Sequence, residues 1–465
     1  MTGKKAMLVL SFMALLAAPL AAQDTVTYED LSNALSFNNT TLLAAMEDYR
    51  TAGIDVKDAK SSYHPQISYT VAGSYVYQHQ PMSIAPEDAN ALINDMFPGL
   101  GGSIQLGKPI ELTNMLSVNA PYLNASVSLV QPIYTWGKVT SNVKMYEEIE
   151  SARALQIGDT EAQLDAQLKA YLSSLYYLDQ ILVLLDSIQQ DADELVTIAE
   201  QSSSTGVLLQ QDVASARVSA SQIALSKTQV ESQIQNITTA LETMTGIENL
   251  DLTVINYTPD EAWFAEIANA DRAQLELMAT GNSQASIQML DHMAAAAGYA
   301  QNAAKGSMYV VPDSALSVSA DYTAPLTDRF ADESAWGVTV AVALQGTIWD
   351  GGQRSNDRQR AESAVSSAQI TRTEAVNTIK TTLNENLGNI DIALANIEYQ
   401  KANIELLQSE LELEQSRFDL GASSRQDILE KRIELGQAQV EMITQKMALA
   451  ASCFTVDYLT GYSSL

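Results

Sequence analysis

The sequence predicts an internally duplicated, mainly α-helical chain that also carries four β-strands of membrane-spanning length. Three observations predict it. Landmarks recur at one fixed offset of 215 residues: Ile133-Tyr134 with Gly137 returns as Ile348-Trp349 with Gly352, Gly206 with Asp212 as Gly421 with Asp427, and Thr245-Gly246 as Thr460-Gly461. Proline, which costs a helix interior ~3 kcal/mol, is absent from 133–258 and 326–465. Four segments of about ten residues alternate between apolar and small or polar residues, the length and pattern of a barrel strand. Loops drift in length whereas a long helical hairpin counts turns, so a constant offset over this distance favours helices.

The elements follow in order. Residues 1–22 read as a secretory signal, with Lys4 and Lys5 before the apolar Met7–Ala18 stretch and Ala22 as the small residue at cleavage. Residues 23–250 form the first repeat: a helix, a β-hairpin over 65–136, a long helix over 138–200 and a return helix over 208–245. Residues 251–465 form the second: a helix, a hairpin over 312–350, a long helix over 353–416 and a return helix over 424–460. The strands are read from Ile67, Tyr69, Val71, Tyr75 and Tyr77; from Leu123, Ala125, Val127 and Leu129; from Leu316, Val318, Ala320 and Tyr322; and from Trp336, Val338, Val340, Val342 and Leu344. Tyr63, Tyr134, Trp136, Tyr309 and Trp349 flank them, where interfacial aromatics belong. The long helices are read from apolar steps of three and four, such as Leu164, Leu168, Leu172, Leu175 and Leu178, and Leu383, Leu387, Ile390, Leu394 and Ile397. Gly206 and Gly421 end them as αL glycines; Gly137, Gly351 and Gly352 mark the strand-to-helix bends. The first hairpin has a long loop over about 79–116, including Pro98-Gly99-Leu100-Gly101-Gly102.

Four strands cannot close a barrel, and an open edge cannot sit in lipid. A membrane location therefore requires oligomerisation, two copies giving 8 strands and three giving 12. A β-sandwich with one wet face is the soluble alternative.

The charge balance is 26 basic against 56 acidic residues, a net −30. Nucleic acid and anionic membrane surfaces repel such a chain, and 46% hydrophobic content argues against disorder. The single Cys453 leaves no internal disulfide and no acylated N-terminal cysteine. His64, His79 and His292 show no metal-ligand spacing, and Gly351-Gly352 lacks the Lys-Ser/Thr of a P-loop. No nucleophile–base constellation is present, so neither an enzyme nor a cofactor is expected. The informative polar residues follow the turn glycines. Asp427 and Glu430 share a helix face, and Asp212 is the repeat counterpart of Asp427. They read either as helix N-terminal carboxylates or as an acidic, cation-selecting constriction.

These features together resemble the TolC family of trimeric outer-membrane efflux channels, across essentially the whole mature chain. The residues that carry the resemblance are Gln131-Pro132-Ile133-Tyr134 to Gly137, Ile348-Trp349-Asp350-Gly351-Gly352, Arg417-Phe418-Asp419-Leu420-Gly421 running on to Asp427-Ile428-Leu429, and the Thr-Gly pairs at 245 and 460. The resemblance implies a homotrimer, with four strands per protomer in a shared 12-stranded barrel continuous with a helical periplasmic tunnel. It implies an exit duct joined by a periplasmic adaptor to an inner-membrane RND, ABC or MFS transporter. Asp427 and Glu430 fall at the acidic entrance ring and Asp212 at the gate latch. The tips Gly206, Val207, Leu208, Arg417, Phe418, Gly421, Ala422 and Ser423 would meet the adaptor. Two departures stand out. Ser423 occupies a position often basic in the family, leaving Arg425 as substitute or the latch built from other bonds. Arg417-Phe418 is Ser202-Ser203 in the first repeat. A type I protein-secretion channel shares this architecture; a soluble periplasmic coiled-coil scaffold would keep the helices alone.

Overall fold

The computed structural model describes residues 26–78, 83–84, 86–87, 91, 110–111, 118–206, 208–281, 284–307, 313–326 and 335–462. The expected signal segment, His79 and most of the 79–116 loop with its Pro98–Gly102 run lie outside the described residues, as do Tyr309 and the tip residue Val207.

The element order is β1 (Val26–Thr27), α1 (Tyr28–Asn38), α2 (Thr40–Ser61), β2 (Gln66–Gln78), β3 (Ser83–Ile84), β4 (Ile110–Glu111), β5 (Val118–Tyr134), α3 (Lys138–Ser204) and α4 (Gln210–Thr245). The second half follows with β6 (Ile255–Asn256), α5 (Glu261–Asn269), α6 (Arg272–Thr280), α7 (Ala285–Gly306), β7 (Asp313–Pro325), β8 (Ala335–Gln345), α8 (Gln353–Asp419) and α9 (Arg425–Thr460). The offset of 215 residues holds at both ends of both long helices: α3 and α8 each span 67 residues, α4 and α9 each 36. Gly137, Gly206 and Gly246 and their counterparts Gly352, Gly421 and Gly461 all take left-handed φ values between 65° and 92°. The duplicated glycines thus encode duplicated backbone reversals that a side chain would strain. The long helices run a few residues past 200 and 416, because the turn is closed by the glycine rather than by the last apolar residue.

Two compact units emerge, and both repeats contribute to each. The unit built from Asp55–Tyr146 and Ala297–Ser363 contains an antiparallel sheet in the order β2-β5-β7-β8. Its register aligns the four alternations. Ile67, Leu129, Val318 and Val340 form one cross-strand row, and Tyr69, Val127, Ala320 and Val338 the next. Ser68, Ser128, Ser319 and Thr339 form a row on the opposite face. There the hydroxyls of Ser68 and Ser128 are 2.7 Å apart, Asn124 donates to Ser74 and Thr323 donates to Asn124. A one-residue slip in any strand would exchange the faces. β5 extends beyond the Leu123–Leu129 alternation at both ends and takes in Pro121 and Pro132, unusual for a central strand. The ladder accommodates them at its margins: pairing with β7 begins at Tyr122, and the register breaks between Pro132 and Tyr134.

The other unit gathers the residues up to Ile54 with Glu147–Ala296 and Ala364–Leu465. Its larger core cluster packs Tyr177, Leu178, Ile181 and Leu185 of α3 with Leu383, Leu387 and Ile390 of α8 and with Leu429 and Ile433 of α9; a second cluster joins Leu31, Leu35 and Leu42 to Leu164, Leu168 and Leu172 of α3 and Leu241 of α4. Each such side chain, fully buried, contributes ~1.5–3 kcal/mol. Cross-helix ion pairs fix the lateral order. Asp186 of α3 pairs with Lys227 of α4, Asp191 and Glu194 of α3 with Arg432 and Arg425 of α9, and Lys431 of α9 with Glu410 of α8. The order is therefore α4–α3–α9–α8. Gly436 lets α9 approach α3 closely, since a Cβ there would lie 2.5 Å from Ile188 Cγ1. Cys453 is buried, which pushes its thiol up to about 12 and leaves it unreactive at neutral pH.

Candidate functional site

Three groups of residues single themselves out: the sheet faces, the strand-to-helix bends and the hairpin tips. On the sheet, the apolar row residues stand open: Tyr69 is 80% exposed and Val340 68%. An apolar face of this extent on a monomer marks a surface that something apolar covers. Among the described residues the outer strands β2 and β8 each pair on one side only, leaving unpaired backbone groups along both edges. No helix among the described residues is long and apolar enough to cross a membrane.

At the bends, Trp136 adopts φ 53° where the second copy has Gly351 at φ 67°. Its ring stacks edge-on against Tyr134 at 4.9 Å, a contact that holds a bulky residue in a conformation glycine adopts freely. Asp350 caps the second bend, accepting from Gly352 N–H and from the Arg354 backbone and guanidinium; the Arg354 side-chain bond holds its carboxyl below the usual range. Lys138 pairs with Asp313, tying the start of α3 to the start of β7. Sequence reasoning missed this link because the partners are 175 residues apart.

The tips place the sequence-predicted residues as follows. In the second tip Asp427 Oδ2 accepts from the Ser424 N–H (2.8 Å), the Ser424 hydroxyl (2.7 Å) and the Ser423 hydroxyl (3.0 Å). The Ser424 side chain accepts in return from Asp427 N–H, completing a capping box. These bonds, the Ser424 hydroxyl foremost, hold the Asp427 carboxyl below the usual range. In the first tip Asp212 accepts from the Leu209 N–H at 3.1 Å, but Leu209 has no side-chain oxygen to accept the Asp212 N–H in return. Ser423 also bonds Glu414, which receives Arg417 at 3.3 Å. Phe418 and Leu420 are exposed, Leu420 at 84%.

Asp427 and Glu430 have different partners within one chain. Glu430 is exposed and accepts from Gln426 at 2.9 Å, and with Glu434, Asp212 and Leu208 it lines a groove of about 580 Å³ over Leu195 and Ala199. Arg425 does not reach Asp212; it forms a two-pronged pair with Glu194 at 2.8 and 2.9 Å. That bond lowers the Glu194 carboxyl and raises the guanidinium. One turn further, Arg432 pairs with the buried Asp191 at 3.2 Å; burial pushes Asp191 up while Arg432 pulls it back. The Glu194–Arg425 and Asp191–Arg432 clasp was not anticipated. Its only sequence signal is two acids spaced i,i+3 on α3 facing two arginines spaced i,i+7 on α9. No group of three or more His, Cys, Asp or Glu side chains that could hold a metal ion occurs among the described residues.

A duplicated pair of long helical hairpins joined to a four-stranded antiparallel sheet is the fold of the outer-membrane channels, as the resemblance to the TolC family implied. Three solved structures make the match concrete. The CmeC outer membrane channel of Campylobacter jejuni aligns at 16% identity over 93% of this chain and 85% of that one, TM-score 0.67. The outer membrane protein VceC of Vibrio cholerae aligns at 14% over 94% and 95%, TM-score 0.67. The open MtrE outer membrane channel of Neisseria gonorrhoeae aligns at 12% over 93% and 88%, TM-score 0.65. No protein-family description and no curated protein matches the sequence.

Proposed function

We propose that three copies of this chain form an outer-membrane channel that serves as the passive exit duct of a tripartite efflux system. The observation that carries this reading is the sheet: four strands in one register, an apolar face open along its whole width, and two unpaired edges. Lipid covers such a face, and pairing β8 of each copy with β2 of the next removes every edge; three copies give twelve strands. The hairpins then lie in the periplasm, where the tips at Gly206–Leu208 and Arg417–Ser423 meet an adaptor that connects the duct to an RND, ABC or MFS transporter. Asp427 and Glu430, repeated three times around a constriction, attract cations. In this reading Arg425 leaves Glu194 when it engages Asp212 as a gate latch.

The test is reconstitution of the detergent-extracted protein in planar bilayers. A heat-modifiable trimer with cation-selective conductance is expected, and the pair Asp427→Ala with Glu430→Ala should reduce that selectivity with assembly intact. A monomer that stays in solution without detergent overturns the reading. Capture of a translocating polypeptide in place of small-molecule export would reassign the duct to protein secretion.

A further inference from the structure

A small cavity opens at the edge of the second core cluster, away from the sheet, the bends and the tips. Leu172, Leu175, Tyr176 and Asp179 follow one another at steps of three and four, so they share one face of α3. That face forms one wall of the cavity, Ile234 of α4 another, and Ile255 of β6 with Tyr257 just beyond it the third. The walls are held from behind. Ile255 sits opposite Val26 in the β1–β6 pairing, the Tyr257 hydroxyl accepts from Ser173 at 3.4 Å, and Leu175, Ile255 and Tyr257 pack on the cluster that buries Leu172. The cavity is therefore preformed, as ligand sites commonly are. Its volume is about 170 Å³, close to the ~150 Å³ of an engineered apolar cavity that takes up benzene. One six-membered ring or a short branched alkyl group fits it.

The lining is aliphatic apart from two tyrosine rings and one carboxylate. Asp179 is exposed, and no ion pair or hydrogen bond among the described residues engages it. Lys169 on α3 and Lys227 on α4 are already paired, with Asp165 and Asp186. Aromatic faces attract cations through their π electrons, and an unpaired carboxylate beside them does so through its charge. An anion would meet both Asp179 and a chain of net charge −30. We infer that the cavity binds a small apolar ammonium, with its ring or alkyl group on Leu175, Ile234 and Ile255 and its nitrogen between the tyrosines and Asp179. Because the walls come from three separate segments, an occupant ties α3, α4 and β6 together. The inference does not rest on the channel reading.

The test uses the detergent-extracted full chain at neutral pH and two probes of one shape, benzylammonium and the uncharged benzyl alcohol. Binding is followed by saturation-transfer NMR and titration calorimetry against protein-free micelles of the same detergent. The ammonium should bind roughly tenfold more tightly than the alcohol, the effect of one charged contact at a solvent-facing rim. Excess alcohol should displace it, since both rings occupy one cavity, and the ammonium should raise the melting temperature by mass action. Asp179→Asn should abolish the preference and Asp179→Lys should reverse it, with alcohol binding unchanged in both. Asp179 is exposed, so neither substitution disturbs the core. Equal affinity for the two probes overturns the inference. So does a preference that survives Asp179→Asn, which would place the cation at other carboxylates such as Glu430. Binding no greater than to empty micelles overturns it as well, and each of these failures leaves the channel reading intact.

Discussion

Val340→Arg and Thr339→Arg place the same cation on adjacent residues of β8 and should have opposite outcomes. Val340 sits midway along Ala335–Gln345, five residues from either end. At ~3.3 Å per residue and a strand tilt of ~45°, each end lies about 12 Å from it along the membrane normal. That is the depth of the midplane of an apolar band ~25 Å tall. Its side chain belongs to the row with Ile67, Leu129 and Val318, and it is 68% exposed, so no packing in the single chain is lost. The cost is that of a cation in hydrocarbon, ~2–4 kcal/mol per copy, and three copies in one barrel would bring it to roughly 6–12 kcal/mol if the terms add. Thr339 belongs to the Ser68, Ser128 and Ser319 row, whose arginine would stay in water at little cost. Outer-membrane fractionation with heat-modifiability gels should show Val340→Arg lost from the membrane and Thr339→Arg assembled. Equal loss for both would refute the assignment of faces.

Three further substitutions probe the helical unit. Gly436→Ala should destabilise by about 1–3 kcal/mol through overpacking against Ile188, seen as a lower melting temperature of the detergent-extracted protein; an unchanged value would mean α9 does not sit close on α3. Arg432→Met leaves the buried Asp191 without its cation and should cost about 1–3 kcal/mol at neutral pH. Because the Asp191 pKa is already raised by burial, that penalty should shrink as acid neutralises the carboxyl, and a pH-independent loss would contradict it. Asp427, whose folded pKa is depressed, stabilises fully above its unfolded value near 4 and loses that contribution as pH falls through its folded value. Asp427→Asn should therefore lose about 0.3–1 kcal/mol at pH 7 and show a flatter stability profile between pH 5 and pH 2.

The fold was legible where a periodicity or a backbone requirement is local. The glycines at 137, 206 and 246 and their copies each enforce a left-handed φ, and the strand alternations became aligned rows because each strand's faces were already distinct. What escaped were pairings between distant segments. The Glu194–Arg425 clasp and the Lys138–Asp313 tie join residues that sequence spacing cannot relate. Asp427 and Glu430 do lie three residues apart at the start of α9, but spacing could not show that Asp427 would bond its cap while Glu430 lined a groove.

The matched 67-residue spans of α3 and α8 also limit how such a protein can change in length. Deleting one residue within either helix turns everything beyond it by 100° and draws it back by 1.5 Å, which points one side of the clasp away from its partner. Deleting seven turns it by only about 20°, and the same deletion in the other copy keeps the two tips level. Because each long helix is tied to its return helix, viable length variants of this architecture should come in sevens, matched in both arms of each hairpin and in both halves of the chain.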